Sequence, residues 1–357
     1  MTPIRVGIVG VGWGALVHAP AFRAVPGFEL SALCSQNPER VAETGQRLGI
    51  RDVSTEWRAF VRRSDLDLIS IATPVVLHRE MALAALEAGK HVLCEKPQAH
   101  GAADARVILD AAEKSGRVAA VCFELRWSRE RLAISDWVRA GNLGAPYFLR
   151  ITQSAGYWHP SHPPQSEWMY RRADGGGYLM GLQSHDIDFA CALLGEPTAV
   201  AADLRTSVSR RTLADGREVE VDADDTGTLL LRMQTGASVV LSSSVVGAHA
   251  AGIGIELFGS EGTLVWNGTQ LLAGRASDVG LSPLAISARE PASGADVGTK
   301  RSANLVRAQA LMLEDWLPAF RGEATTRPIP SLRDGWRVAR VIDAARESAA
   351  GAGWVAL

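Results

Sequence analysis

The chain has 357 residues, 47% hydrophobic and 21% charged, with 37 Lys and Arg against 39 Asp and Glu and a formal net charge of -2. That length exceeds what one hydrophobic core usually serves, so two domains are expected. The near-neutral balance excludes the clustered basic excess that nucleic-acid or anionic-membrane binding requires, which leaves a small molecule or another protein as the partner.

The opening "MTPIRVGIVGVGWG" runs straight into fold-like sequence, without a basic leader and apolar segment, and no apolar run approaches the roughly 20 residues of a membrane helix. A cytoplasmic location is expected. Cys34, Cys94, Cys122 and Cys191 form no C-x-x-C pair, and three of them end apolar runs; they read as buried small hydrophobes in a reducing compartment, with no metal expected.

From residue 4 to about 123, short apolar runs alternate with amphipathic stretches: "IRVGIVG", "ALVHAPAFRAV", "ELSALC", "PERVAETGQRLG", "DLISIAT", "LHREMALAALEAG", "HVLCE", "AADARVILDAAEKSG", "VAAVCF". Continuous apolar strands separated by helices imply a parallel sheet covered on both faces, a doubly wound α/β domain over 1–123. Gly89 and Gly116 fall where left-handed helix caps belong. After the helical "RERLAISDWVRAG" the texture changes to Thr-, Val- and Leu-rich strands such as "TGTLLLRMQTG" and "ASVVLSSSVVG", interrupted by a helix near 182–194. A second domain over 124–357 with an antiparallel sheet is expected. The stretch 274–303 reads as a loose surface excursion, and two amphipathic helices close the chain.

The first strand runs into Gly10-Val11-Gly12-Trp13-Gly14-Ala15. Glycines at 10 and 12 permit a tight turn and a close backbone approach to a pyrophosphate, and a small residue at 15 packs against the strand, which predicts a dinucleotide site. NAD binders usually place Asp or Glu at the end of the next strand. Here the residues are Ser35-Gln36-Asn37, with Arg40 close behind, so NADP is favoured over NAD; the competing reading has Arg40 as a solvated charge on a helix.

Ligands of an open parallel sheet gather beyond the carboxyl ends of its strands. Thr73-Pro74 ends one strand and Glu95-Lys96-Pro97 the next, so both clusters point into the cofactor crevice, and Lys96–Pro97 is a candidate cis bond. The fingerprint, Thr73-Pro-x-x-x-His78, Gly89-Lys90-His91-Val92, Glu95-Lys96-Pro97 and the later Gly175-Gly176-Gly177 with His185 resemble the Gfo/Idh/MocA family from end to end. The resemblance implies a Rossmann domain followed by an α/β domain with a large, mostly antiparallel open sheet for substrate binding and oligomerisation, an NAD(P) cofactor, and oxidation or reduction of a sugar or cyclitol, in dimers or tetramers. It makes Lys96 catalytic, beside the nicotinamide and the reacting hydroxyl, and has His78 line the crevice. An amine there stabilises alkoxide character or relays the proton; the bland alternative is a surface ion pair with Glu95.

In sugar-oxidising relatives the second-domain pattern pairs an Asp with a His one helical turn on. This chain keeps His185 and has Gly181 at the Asp position, and Asp186 and Asp188 are no obvious substitutes. His185 is a candidate general acid or base and substrate ligand. Arg126 matches a substrate-binding arginine of some inositol-oxidising relatives, against pairing with Glu124 or Glu130. Tyr157, Trp158, His159 and His162 offer a loop suited to a sugar face. Two other readings stand beside the dehydrogenase: a glycosidase that oxidises transiently, and a nucleotide-sensing regulator.

Overall fold

The computed structural model describes residues 2–164, 166–292 and 300–357. Contacts divide the chain into two units, Met1–Ser128 with Ala288–Trp336, and Arg129–Ser287 with Arg337–Leu357.

The apolar runs of the first unit are strands of one parallel sheet, and the central ones, at residues 68–71, 91–94 and 119–121, are buried on both faces almost throughout, while the edge at residues 53–54 is open. They are β1 (Ile4–Val9), β2 (Phe28–Cys34), β3 (Val53–Ser54), β4 (Leu68–Ile71), β5 (His91–Cys94) and β6 (Ala119–Val121), in the spatial order β3-β2-β1-β4-β5-β6. Between them run α1 (Ala19–Arg23), α2 (Pro38–Leu48), α3 (Trp57–Phe60), α4 (His78–Glu87) and α5 (Ala102–Ser115). A wide π-type turn, Gly14–His18, leads from β1 into α1. The strand order reverses beside β1, so the ends of β1 and β4 form the switch point where a dinucleotide belongs.

The second unit opens with α6 (Arg129–Arg139) and β7 (Pro146–Ser154), followed by α7 (Ser184–Leu194), β8 (Pro197–Arg205), β9 (Arg210–Thr212) and β10 (Glu218–Glu220). Then come β11 (Thr226–Met233), β12 (Ser238–Ser244), β13 (Gly252–Gly259), β14 (Gly262–Trp266), β15 (Leu271–Arg275) and β16 (Ser282–Pro283). With β17 (Val355–Ala356) they build a nine-stranded sheet ordered β16-β15-β14-β13-β7-β12-β11-β8-β17, while β9 and β10 pair as a separate hairpin. Every pairing in the large sheet is antiparallel except β7 with β12. Strands β7, β11 and β12 alternate buried with exposed positions, the mark of a sheet covered on one face, and α7 supplies cover over β7 and β12.

The contact division departs from the sequence boundary, because the chain returns to the first unit over 288–336. Within that return, α8 (Lys300–Trp316) packs on α1 and on the Gly14–His18 turn. The indole N–H of Trp127 donates to Asp315 at 2.7 Å, and the Val121 N–H donates to the Pro330 carbonyl at 3.0 Å, extending the edge of β6. Nothing in local periodicity reports such long-range pairing. The closing helix α9 (Leu332–Glu347) is present as expected. The presumed excursion over 274–303 contains the end of β15, all of β16 and the start of α8, and residues 293–299 lie outside the described residues.

Candidate active site

Gly10 has φ 102°, and a Cβ there would meet the Ala72 carbonyl oxygen at 2.3 Å, so only glycine lets the β1 turn close against the end of β4. A Cβ on Gly14 would strike Ile8 at 2.7 Å, whereas one on Gly12 would meet only Arg40 Nη2, at 3.7 Å. The turn is thus tight toward the sheet and open toward Arg40, the shape a pyrophosphate cradle needs. Ala15 is buried, while the Trp13 ring is 36% exposed at the mouth of the turn. At the end of β2, Asn37 caps α2 by accepting the Arg40 N–H at 2.7 Å, and Ser35 stays half-buried beside it. The capping role of Asn37 was legible from the Pro that follows it.

Lys96, half-buried, is the second residue past the end of β5 and is joined to Pro97 by a cis bond. Its own backbone N–H donates to Glu95 Oε2 at 3.0 Å, and Glu95 Oε1 lies 2.8 Å from His18 Nε2. The other ring nitrogen of His18 is 2.7 Å from Ser70 Oγ. Burial works against ionising Glu95, yet the His18 hydrogen bond and charge hold its carboxyl below the ordinary value. Glu95 is therefore a fixed anion under Lys96 rather than a loose surface partner.

Behind Glu95, the Cys122 thiol, the His18 ring and a Glu95 oxygen lie within 4.8 Å of one another, the one such three-donor group among the described residues. Both His18 nitrogens are engaged by Ser70 and Glu95, and burial pushes the Cys122 thiol well above its ordinary value. That chemistry suits shared protons better than a metal ion. Next along the chain, buried Glu124 is pushed up to about 8, first by burial and then by the charge of Glu95, with Lys96 pulling the other way.

An acid that holds its proton more tightly when folded contributes stability that is complete below its unfolded value, about 4.3, and is lost as pH rises through the folded one. Replacing Glu124 by Gln should therefore raise the melting temperature relative to wild type by an amount that grows from about pH 5 to about pH 8 and then levels. Paired thermal melts across that range measure it.

His78 is buried with Nδ1 3.0 Å from the Pro97 carbonyl and Nε2 2.9 Å from the Thr73 carbonyl, which braces the β4 and β5 ends against each other. Burial lowers its pKa, so it stays neutral near pH 7. Pro74 starts the short turn Val75–Leu77 that leads into α4. Arg126 pairs with Asp334 at 3.5 Å, a partner that neither sequence reading named.

In the second unit, His185 is buried in the first turn of α7. Its carbonyl accepts from Arg131 Nη1 at 3.2 Å, and Arg131 also donates to Asp186 Oδ1 at 2.5 Å. Asp186 Oδ2 accepts from Gln153 Nε2 at 2.7 Å, and the Tyr178 hydroxyl donates to Gln153. This buried network, invisible in the sequence, fixes the helix turn that carries His185. Gly177 has φ 106°, and a Cβ there would strike Asp224, which accepts the Leu179 N–H at 2.7 Å. A Cβ on Gly181 would meet nothing within 4 Å.

The aromatic loop divides. Tyr157 is exposed and His159, half-exposed, bonds Ser161 Oγ at 2.7 Å, whereas Trp158 is buried edge-on to Tyr170 in a core with Tyr178 and Val245. The expectation that Trp158 offers a sugar face is corrected: its ring anchors the loop instead. The His159 and His162 rings sit edge to face, 6.0 Å apart.

The model of an oxidoreductase family with an NAD-binding Rossmann fold matches residues 4–123, and the GFO/IDH/MocA C-terminal domain matches 132–265. The chain belongs to the Gfo/Idh/MocA oxidoreductase family. It is similar to levoglucosan dehydrogenase of Pseudarthrobacter phenanthrenivorans, at 29% identity over 99% of this chain and 98% of that one. It is also similar to dTDP-3,4-didehydro-2,6-dideoxy-alpha-D-glucose 3-reductase of Streptomyces violaceoruber, at 33% identity over 73% and 72%. The structure of levoglucosan dehydrogenase in complex with NADH and levoglucosan superposes with a TM-score of 0.87 at 28% identity, covering 100% of this chain and 99% of that one.

This member of the family is an NAD(P)-dependent oxidoreductase of sugar-type hydroxyls, with a nicotinamide cofactor and a small-molecule substrate. Neither the glycosidase-type nor the sensor reading is favoured. The open glycine turn at the switch point fits the cofactor: Gly10, Gly12 and Gly14 would cradle its phosphates, and Ser35 and Arg40 would flank its adenosine end. Among the described residues no helix is long and apolar enough to cross a membrane.

Proposed function

We propose that the chain interconverts a secondary hydroxyl and a carbonyl on a sugar, sugar derivative or cyclitol, with Lys96 as the group that takes and returns the hydroxyl proton. The observation that carries this reading is the holding of the Lys96 backbone N–H, just past the carboxyl end of β5, by Glu95 Oε2, while the other Glu95 oxygen is held by His18. The bound nicotinamide supplies or takes the hydride. Lys96 stabilises negative charge on the reacting oxygen and holds its proton. His185, rigidly mounted on α7, is a second proton-handling group, with Tyr157 and His159 offering polar and aromatic contacts. Residues 1–123 form the cofactor-binding part and 124–357 the substrate-binding and oligomerising part, in a cytoplasmic homodimer or homotetramer without nucleic-acid or membrane partners.

NADP is the proposed preference, because no carboxylate ends β2, Asn37 is spent on capping α2, and the Arg40 guanidinium reaches the glycine turn. A charge-assisted hydrogen bond to a 2′-phosphate is worth about 1.5–3 kcal/mol. Arg40→Ala should then raise KM for NADP by about tenfold or more and change that for NAD by less than about threefold. The decisive assay is a panel of sugars and cyclitols, levoglucosan first, run with both cofactors while following absorbance and products. Turnover on a sugar hydroxyl supports the reading; aglycone release without net change in nicotinamide absorbance contradicts it.

A further inference from the structure

Gly181 sits in a wide π-type turn, Leu179–Gln183, that runs directly into α7. A glycine inside a helix destabilises it relative to alanine, so its presence calls for a reason: a backbone conformation closed to other residues, or a neighbour pressed against it. The other glycines of the described helical segments have one. A Cβ on Gly14 would strike Ile8, one on Gly45 would meet the Ile50 carbonyl oxygen at 2.7 Å, one on Gly335 would overlap Gln98, and Gly351 has φ 114°.

Gly181 has neither. It is not among the glycines at positive φ, and its N–H donates to the Gly177 carbonyl at 2.9 Å. Beyond its chain neighbours and the helix's own backbone, a Cβ there would meet nothing among the described residues within 4 Å. The half-buried position therefore opens on a space that takes a carbon-sized group in van der Waals contact. No side-chain oxygen or nitrogen stands within hydrogen-bonding distance of that point, so carbon fits it better than a hydroxyl. His185 lies four residues on, and positions so spaced share a helix face about 5–6 Å apart. Turns of the π type inside helices occur frequently at functional sites.

We propose that the space at Gly181 is a substrate subsite for an exocyclic carbon. The chain acts on ring sugars of the hexopyranose type, and Gly181 sets their preference over pentopyranoses and cyclitols, which carry no carbon outside the ring. This deepens the dehydrogenase reading and rests on it, with His185 beside the reacting carbon. A hydroxymethyl group on a nearby ring carbon reaches along the helix from position 185 toward position 181, and its carbon takes the place that an alanine methyl would fill.

Pairs of sugars that differ only in the hydroxymethyl group test this: glucose with xylose, galactose with L-arabinose, and mannose with lyxose, beside myo-inositol, each with NAD and NADP. In at least one pair the hexose should have a kcat/KM about tenfold or more above its partner, the scale of one carbon group in a pocket. Gly181→Ala should cut that ratio at least about fivefold, because its methyl occupies the subsite. The same variant should melt about 2–4 °C higher than wild type, because the helix loses a glycine.

A wild-type chain that turns over pentoses or myo-inositol as well as any hexose overturns the proposal and leaves the dehydrogenase reading standing. So does a ratio that Gly181→Ala does not move, or a variant that melts lower than wild type, which would mean that the fold itself uses the space. If no compound turned over with either cofactor, the dehydrogenase reading would fall, and melting shifts of the cofactor-loaded chain with the same pairs would decide the subsite. A hexose-specific shift that Gly181→Ala loses supports it, and equal shifts or none overturn it.

Discussion

Lys96→Ala is expected to lower kcat for sugar oxidation by about 10²–10⁴-fold, the range lost with a catalytic acid or base, while cofactor affinity stays within about threefold of wild type. The split follows from geometry. The phosphate turn at residues 10–15 closes against Ala72 and is braced independently of the lysine side chain. Lys96 is held by its backbone N–H on Glu95, so truncating the amine leaves the carboxylate and its His18 bond in place. Lys96→Arg keeps the charge but cannot give up its proton, and should recover less than about a tenth of the activity if proton transfer rather than charge alone is required. Steady-state kinetics with fluorescence titration of cofactor binding separates these effects.

Asp186→Ala should be the most destabilising single change in the second unit. Arg131 and Asp186 are each only 2% exposed, and their 2.5 Å contact is shared with Gln153 and stacked over Phe189. Removing the carboxylate leaves a guanidinium buried without its counter-charge, which costs about 3–5 kcal/mol. Burial already pushes the Asp186 carboxyl above its ordinary value, and Arg131 restrains that rise, so neither partner tolerates the loss of the other. In a unit of this size the loss corresponds to a melting-temperature drop on the order of 10 °C. Because Arg131 also holds the His185 carbonyl, activity should fall at temperatures where the variant is still folded. A double change that also replaces Arg131 by Met should recover part of the stability and none of the activity. Thermal melts and initial rates on the same samples read both.

The cofactor half was legible because its constraints are local. Gly10 must adopt a positive φ against Ala72, and the strand before it and helix after it announce themselves by period. Glu95 and Lys96 stood out as charges ending an apolar strand. The cluster behind them did not, because His18, Ser70, Cys122 and Glu124 sit on different elements that meet only through the strand order β1-β4-β5-β6. A weaker signal was present: Ser70 interrupts "LISI", and Glu124 directly follows the last strand, both polar at the carboxyl side of a buried sheet.

Arg126 found Asp334, some 200 residues away by numbering, because the chain returns to the first unit over 288–336. Trp158 misled for a different reason: an aromatic residue in a loop serves equally well to anchor that loop as to meet a sugar, and only packing against Tyr170 distinguishes the two. The Arg131–Asp186–Gln153 network joins three elements, so no spacing rule predicts it.

The central claim is that the Lys96 amine meets the oxygen whose proton it handles. A crystal structure with cofactor and a turned-over sugar bound measures this directly. The account predicts Nζ within about 2.6–3.2 Å of the hydroxyl on the reacting carbon. An amine directed into bulk solvent, with another side chain in that place, would contradict it.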